Sequence, residues 1–108
     1  MGKVEAMPSF RATLKIMGLR PGNAPENVMS MAVDALGSMH LVEANQLDIV
    51  AGVPRITLRF TVDASQDGVE DRHARNAGAS MQHAVESVAV TGGLQVLRRR
   101  RGKWIPLD

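Results

Sequence analysis

Along "SFRATLKIM", residues 9–17, apolar Phe10, Ala12, Leu14 and Ile16 alternate with Arg11, Thr13 and Lys15. Successive side chains of a strand point to opposite faces, so a period of two predicts a strand with one buried and one wet face. Ile56, Leu58, Phe60 and Val62 alternate in the same way with Arg55, Thr57, Arg59 and Thr61, the cleanest strand pattern in the chain. Residues 41–51 alternate less regularly around Ala44–Gln46, which predicts a bulge or a late start, and "AGVP" predicts the hairpin turn into the next strand.

Two stretches carry the helical period instead. Over residues 24–37, Val28, Ala32, Ala35 and Met39 share one face, flanked by Met31 and Leu36. Over residues 66–87 and on to Val88, Ala74, Ala77, Met81, Ala84, Val85 and Val88 do so, and Gly78 with the alanines makes this helix thin enough to approach a sheet closely. Asn23 with Glu26, and Asp67 with Glu70, have the spacing of capping boxes, and Pro25 suits a first helical turn. Gly92–Gly93 closes the second helical region, a strand is expected from Leu94 to Arg99, and "RG" then turns the chain into a short return strand, "KWIPL". Pro106 restricts that strand to an edge.

This order of elements, β-α-β-β-α-β with an extra C-terminal strand, predicts one α+β domain over residues 1–108, with residues 1–7 a flexible lead-in. It resembles the ferredoxin-like superfamily, a βαββαβ sandwich with two helices on one face of a four-stranded antiparallel sheet. Within it, "LKIMGLRPG" leading into a helix resembles the opening of ACT domains, small-molecule regulatory modules of that fold. Where those domains end the strand in an acid, Leu19 and Arg20 stand here. The Gly18–Asn23 loop, rich in Gly and Pro, stands at the N-terminus of the first helix. Backbone N–H groups at a helix N-terminus suit an anion, so Arg20, Gly22 and Asn23 are the candidate contacts for a small anionic ligand.

Charge adds a second candidate. The net charge is +2, yet Arg98, Arg99, Arg100, Arg101 and Lys103 contribute five positive charges, leaving eight basic and eleven acidic residues elsewhere. Such a run suits phosphate contact. Alternation sends Arg98 and Arg100 to one side and Arg99 and Arg101 to the other, so half the run is equally suited to pairing with the acidic remainder. Arg11, Lys15, Arg55 and Arg59 all fall on the wet face of the sheet. A basic sheet face in this fold resembles that of RNA-recognition motifs, but those stack bases on aromatics of the central strands, and here the outward positions hold Thr, Arg and Lys.

The remaining chemistry is sparse. There is no cysteine, which removes disulfides and thiolate sites and fits a reducing cytoplasm. No apolar run approaches the ~18 residues of a bilayer span, and no P-loop or nucleophile elbow occurs. Glu70 and His73 have Glu-x-x-His spacing without the second pair that a carboxylate-bridged metal site needs. His83 lies about 80° around the helix from His73, and His40 sits at a helix exit. Asp63, Asp67, Glu70 and Asp71 gather near one loop in no EF-hand spacing.

These observations predict a non-catalytic, cytoplasmic binding or regulatory domain acting as a homodimer, with no cofactor or metal and no membrane partner. Trp104 and Ile105 on the return strand are candidate contacts with a second copy; closure of the chain's own core is the alternative for Trp104. Nucleic-acid binding through residues 98–103 is the rival function. A small dimeric enzyme built around His73 and Glu70 is the third.

Overall fold

A computed structural model describes residues 7–107; the expected lead-in, apart from Met7, lies outside the described residues. The elements are β1 (Ser9–Leu19), α1 (Pro25–Gly37), β2 (Leu41–Val50), β3 (Val53–Thr61), α2 (Asp67–Val85), β4 (Ala89–Arg100) and β5 (Lys103–Pro106). The strands form one antiparallel sheet in the order β2-β3-β1-β4-β5. The molecule is thus an α+β domain with two helices and a five-stranded sheet. Pro106, with no N–H to donate, sits on its β5 edge.

The alternation read from the sequence sets the register. β1 pairs with β3 so that Phe10 lies opposite Phe60, Ala12 opposite Leu58 and Leu14 opposite Ile56, and none of the six is more than 2% exposed. The two phenyl rings stack with centroids 6.0 Å apart. Over this face lie Val28, Ala32 and Leu36 of α1 and Ala74, Ala77, Met81 and Val85 of α2, in one continuous core. Both hairpins turn on two residues of positive φ: Ala51 (53°) with Gly52 (79°), and Arg101 (54°) with Gly102 (76°). That is the turn whose twist matches the strands it joins.

Several local expectations are corrected. The buried stripe of α1 runs through Leu36, not Ala35 and Met39. Leucine removes more apolar area from water than alanine, and the helix ends at Gly37, leaving Met39 45% exposed. Neither capping box forms: the caps are Ala24 and Gln66, without side-chain hydrogen bonds. Asn23 instead donates back to the carbonyls of Arg20 and Pro21, both at 3.3 Å. α2 stops at Val85, so Val88 is buried off the helix, and β4 begins at Ala89 with both glycines inside it. The β1–β4 register slips between Leu14 and Ile16 and again between Ile16 and Gly18. A Cβ on Gly92 would lie 3.1 Å from Lys15 Cβ and from Met17 Sδ. The glycine is there to let the neighbouring strand's side chains pass, not to stop a helix. No helix of the described residues is long and apolar enough to cross a membrane.

Candidate functional site

Helices cover the even-numbered face of β1, and its odd-numbered face is open. Residues directly opposite in an antiparallel pair share a face. The pairing therefore brings Arg11 beside Arg59, Thr13 beside Thr57 and Lys15 beside Arg55. At the centre the two threonine hydroxyls are hydrogen-bonded at 3.1 Å. Like charges thus stand opposite each other on either side of a small polar centre. Their compensation is partial. Arg59 Nε has Glu43 at 3.5 Å, Asp48 lies opposite Arg55 on β2, and the enclosed Nε of Arg55 has no hydrogen-bond partner among the described residues.

β5 completes this face. Trp104 pairs with Arg99 and is half-buried. Its ring reaches back across the sheet, with the guanidinium carbons of Arg11, Arg59 and Arg99 at 4.1, 5.6 and 5.7 Å from its centroid. Trp104 does not close the core; Leu107 packs there instead, its N–H bonded to the Val96 carbonyl at 2.8 Å. The open face therefore holds Arg11, Lys15, Arg55, Arg59 and Arg99 against Glu43 and Asp48, with one aromatic ring. Sequence reasoning placed the four cations of β1 and β3 and missed the ring, which comes from a strand outside the predicted four-stranded sheet.

The other half of the arginine run, Arg98 and Arg100, pairs with the acidic start of α2, Arg98 buried and Arg100 exposed. Arg98 is 9% exposed and faces the start of α2. It donates to Glu70 at 2.7 Å, to Asp71 at 2.8 Å and to Asp67 at 3.5 Å, with Phe10 beneath it. Burial opposes its charge, but the hydrogen bonds to Glu70 and Asp71 and their negative charges prevail, and its pKa lies above the ordinary arginine value. Arg100 joins the cluster through Asp67 at 2.9 Å. That hydrogen bond, with the charges of both arginines, holds the Asp67 carboxyl below the usual carboxylate range. Asp67, Glu70 and Asp71 thus serve arginines, and no His, Asp or Glu group among the described residues is arranged to hold a metal ion.

The predicted ligand loop is tied at Arg20 to the α2–β4 connection, and Arg20 and Gly22 are exposed. Arg20 Nε donates to the Glu86 carbonyl at 2.6 Å; the Arg20 and Asn23 amides bond to the carbonyls of Val88 and Arg20. Gly22, at a φ of 81°, makes the turn. Beside the loop lies an apolar groove of about 300 Å³ over Ile16, Val28 and Ile56.

Glu70 and His73 part company: Glu70 turns to Arg98, whereas His73 meets His40, Asp63 and Asn76 around a shallow cavity of about 280 Å³. Burial, and then the neighbouring His73, lower the His40 pKa from 6.5, against the opposing pull of Asp63. The unfolded chain therefore takes up this proton first as pH falls. The contribution of neutral His40 is complete above its unfolded pKa and is lost as pH drops through the folded one. Thermal unfolding is expected to move to lower temperature as pH falls below about 7, and His40→Gln to flatten that fall. An unchanged slope in the variant would assign the effect to other groups. His83 is exposed on α2.

No protein-family model matches the chain, and no curated protein matches it in sequence.

Proposed function

We propose that this is a non-catalytic binding domain whose open sheet face holds a polyanionic chain of the kind a nucleic-acid backbone presents. The observation that carries the reading is the pair of like-charge positions in register, Arg11 opposite Arg59 and Lys15 opposite Arg55, flanking Thr13 and Thr57. Like charges directly opposite are destabilising, where well-chosen cross-strand pairs contribute roughly 0.2–1 kcal/mol. A chain that keeps two such conflicts side by side gains from an anion laid between them. The domain's excess acid does not cancel this field, because Asp67, Glu70 and Asp71 lie on the helix side and are engaged by Arg98 and Arg100. From residues 98–103 this reading keeps Arg99 on the open face. We read the fold, as part of the same proposal, as ferredoxin-like with β5 appended; the element order and the shared helical side support that. The absence of cysteine supports a reducing compartment.

Binding and stability should respond in opposite directions to one substitution. Lys15→Thr removes one like-charge cross-strand pair, so thermal unfolding should rise by a few degrees, from roughly 0.2–1 kcal/mol of relief. The same change should weaken binding of a labelled oligonucleotide and make its logarithmic salt dependence shallower by about 0.7 for a single strand. Melting curves and fluorescence anisotropy at several salt concentrations read both. Equal affinity in parent and variant would remove this face as the site.

Self-association is a second reading, favoured by one observation: edge strand β2 exposes Leu41 at 62%, Leu47 at 61% and Ile49 at 69%. Exposed apolar edges pair with other strands. Ile105 on the opposite edge, 44% exposed, is the other candidate contact. Sheet-to-sheet pairing would set the cations of one copy against those of the next, so an edge is the route. Light scattering that gives a monomer at every concentration would exclude it.

A further inference from the structure

Resting on the polyanion reading above, we infer that the chain held on the open face is a single nucleic-acid strand, one base of which stacks on Trp104. A single strand presents two things together, a phosphate charge and a flat unpaired base, and this face answers both. Cations lie along β1 and β3, and an aromatic ring lies at their margin with Arg11, Arg59 and Arg99 around it. The Arg11 guanidinium, 4.1 Å from the ring centroid, is planar. A base extending that stack keeps the cation over the indole while the guanidinium N–H groups turn to phosphate. A duplex fits poorly. Its bases are stacked on one another, and reading it takes an element that enters a groove, whereas Arg11, Arg55 and Arg59 lie half-buried along the sheet. The centre of the face, Thr13 with Thr57, is low and polar, and lets a strand cross without a steric ridge. Stacking tolerates any base, so the expected ligand is a single strand with little sequence preference.

The chain provides its own probe. Trp104 is the only tryptophan and there is no tyrosine, so intrinsic fluorescence reports this ring alone. The whole protein is titrated at low salt with oligothymidylate, with a DNA duplex and with heparin. Oligothymidylate should quench Trp104 and bind tightest; duplex and heparin should bind more weakly and leave the emission nearly unchanged. Trp104→Leu should weaken oligothymidylate binding about 5- to 150-fold, the equivalent of roughly 1–3 kcal/mol per stacked base, and leave heparin binding as it was. Trp104→Phe should restore part of the loss. If oligothymidylate binds without quenching, or Trp104→Leu binds it as well as the parent, or the duplex binds equally well, the stacked single strand is wrong while the polyanion reading stands. If none of the three binds at low salt, the polyanion reading itself is wrong and this inference goes with it. The quenching measurement needs no variant, so it decides even if Trp104→Leu folds poorly.

Discussion

Arg98→Met is expected to lower the unfolding free energy by about 3–5 kcal/mol, the usual loss when one partner of a buried ion pair is removed. Glu70 is 4% exposed and aims a carboxylate oxygen at Arg98 from 2.7 Å. With the guanidinium gone, Glu70 keeps only the Ser65 N–H, at 2.7 Å, and its charge stays out of water. The whole stability of a domain this size is of order 5–15 kcal/mol, so such a loss is visible in any denaturant titration. The double variant Arg98→Met with Glu70→Leu should recover most of it, because an apolar pair of similar volume replaces both charges together. A single-variant loss below about 1 kcal/mol, the scale of an exposed pair, would show that Glu70 is solvated and that the cluster does not hold α2 to β4. This result also governs how the arginine run is tested for function. Replacing all four arginines by serine confounds folding with binding, since the buried Arg98 anchors α2. Arg99 and Arg101 are the pair to neutralise.

A second large effect is expected where α2 crosses β4. A Cβ on Gly78 would stand 2.8 Å from Val96 Cγ2 and 3.5 Å from Leu94 Cδ2. Val96 is 5% exposed, and its branched side chain is stiff. Gly78→Ala gains about 1 kcal/mol of helix propensity but forces overpacking that typically costs 1–3 kcal/mol. We expect a net loss for alanine and a loss of about 3 kcal/mol for Gly78→Leu, where the whole side chain must be placed. Gly68 is the control within the same helix. Nothing lies within 4 Å of its hypothetical Cβ, so Gly68→Ala should stabilise by roughly 0.5–1 kcal/mol. Adding Val96→Ala should make Gly78→Ala tolerable, because the clash is with that one methyl. Chemical unfolding of the four variants reads all of this. A stabilised Gly78→Ala would mean that α2 stands further from the sheet than described.

The two glycine regions show where a local signal and the packed molecule diverge. Gly78 was legible as a thin point of a helix, since small residues on the buried face mean close approach wherever the partner lies. Gly92 and Gly93 read locally as a helix stop and are strand residues, because what matters at Gly92 is the approach of Lys15 and Met17, residues far away in sequence. The start of β4 was misplaced for the same reason. Val88 continues the helical period, but the chain has already left α2, and period alone does not separate a buried loop residue from a buried helix residue.

Alternation by itself determined β1 and β3, their buried sides and the core residues they supply, Phe10, Ala12, Leu14, Ile16, Ile56, Leu58 and Phe60, because a one-residue slip would turn every apolar side chain to water. It also determined that Arg98 and Arg99 point to opposite sides. Only the tertiary structure decided what each side meets: Arg98 the acidic start of α2, Arg99 the ring of Trp104. Those neighbours are set by the strand order β2-β3-β1-β4-β5 and by the way α2 lies across β4. They join residues tens of positions apart, through contacts that no local period encodes.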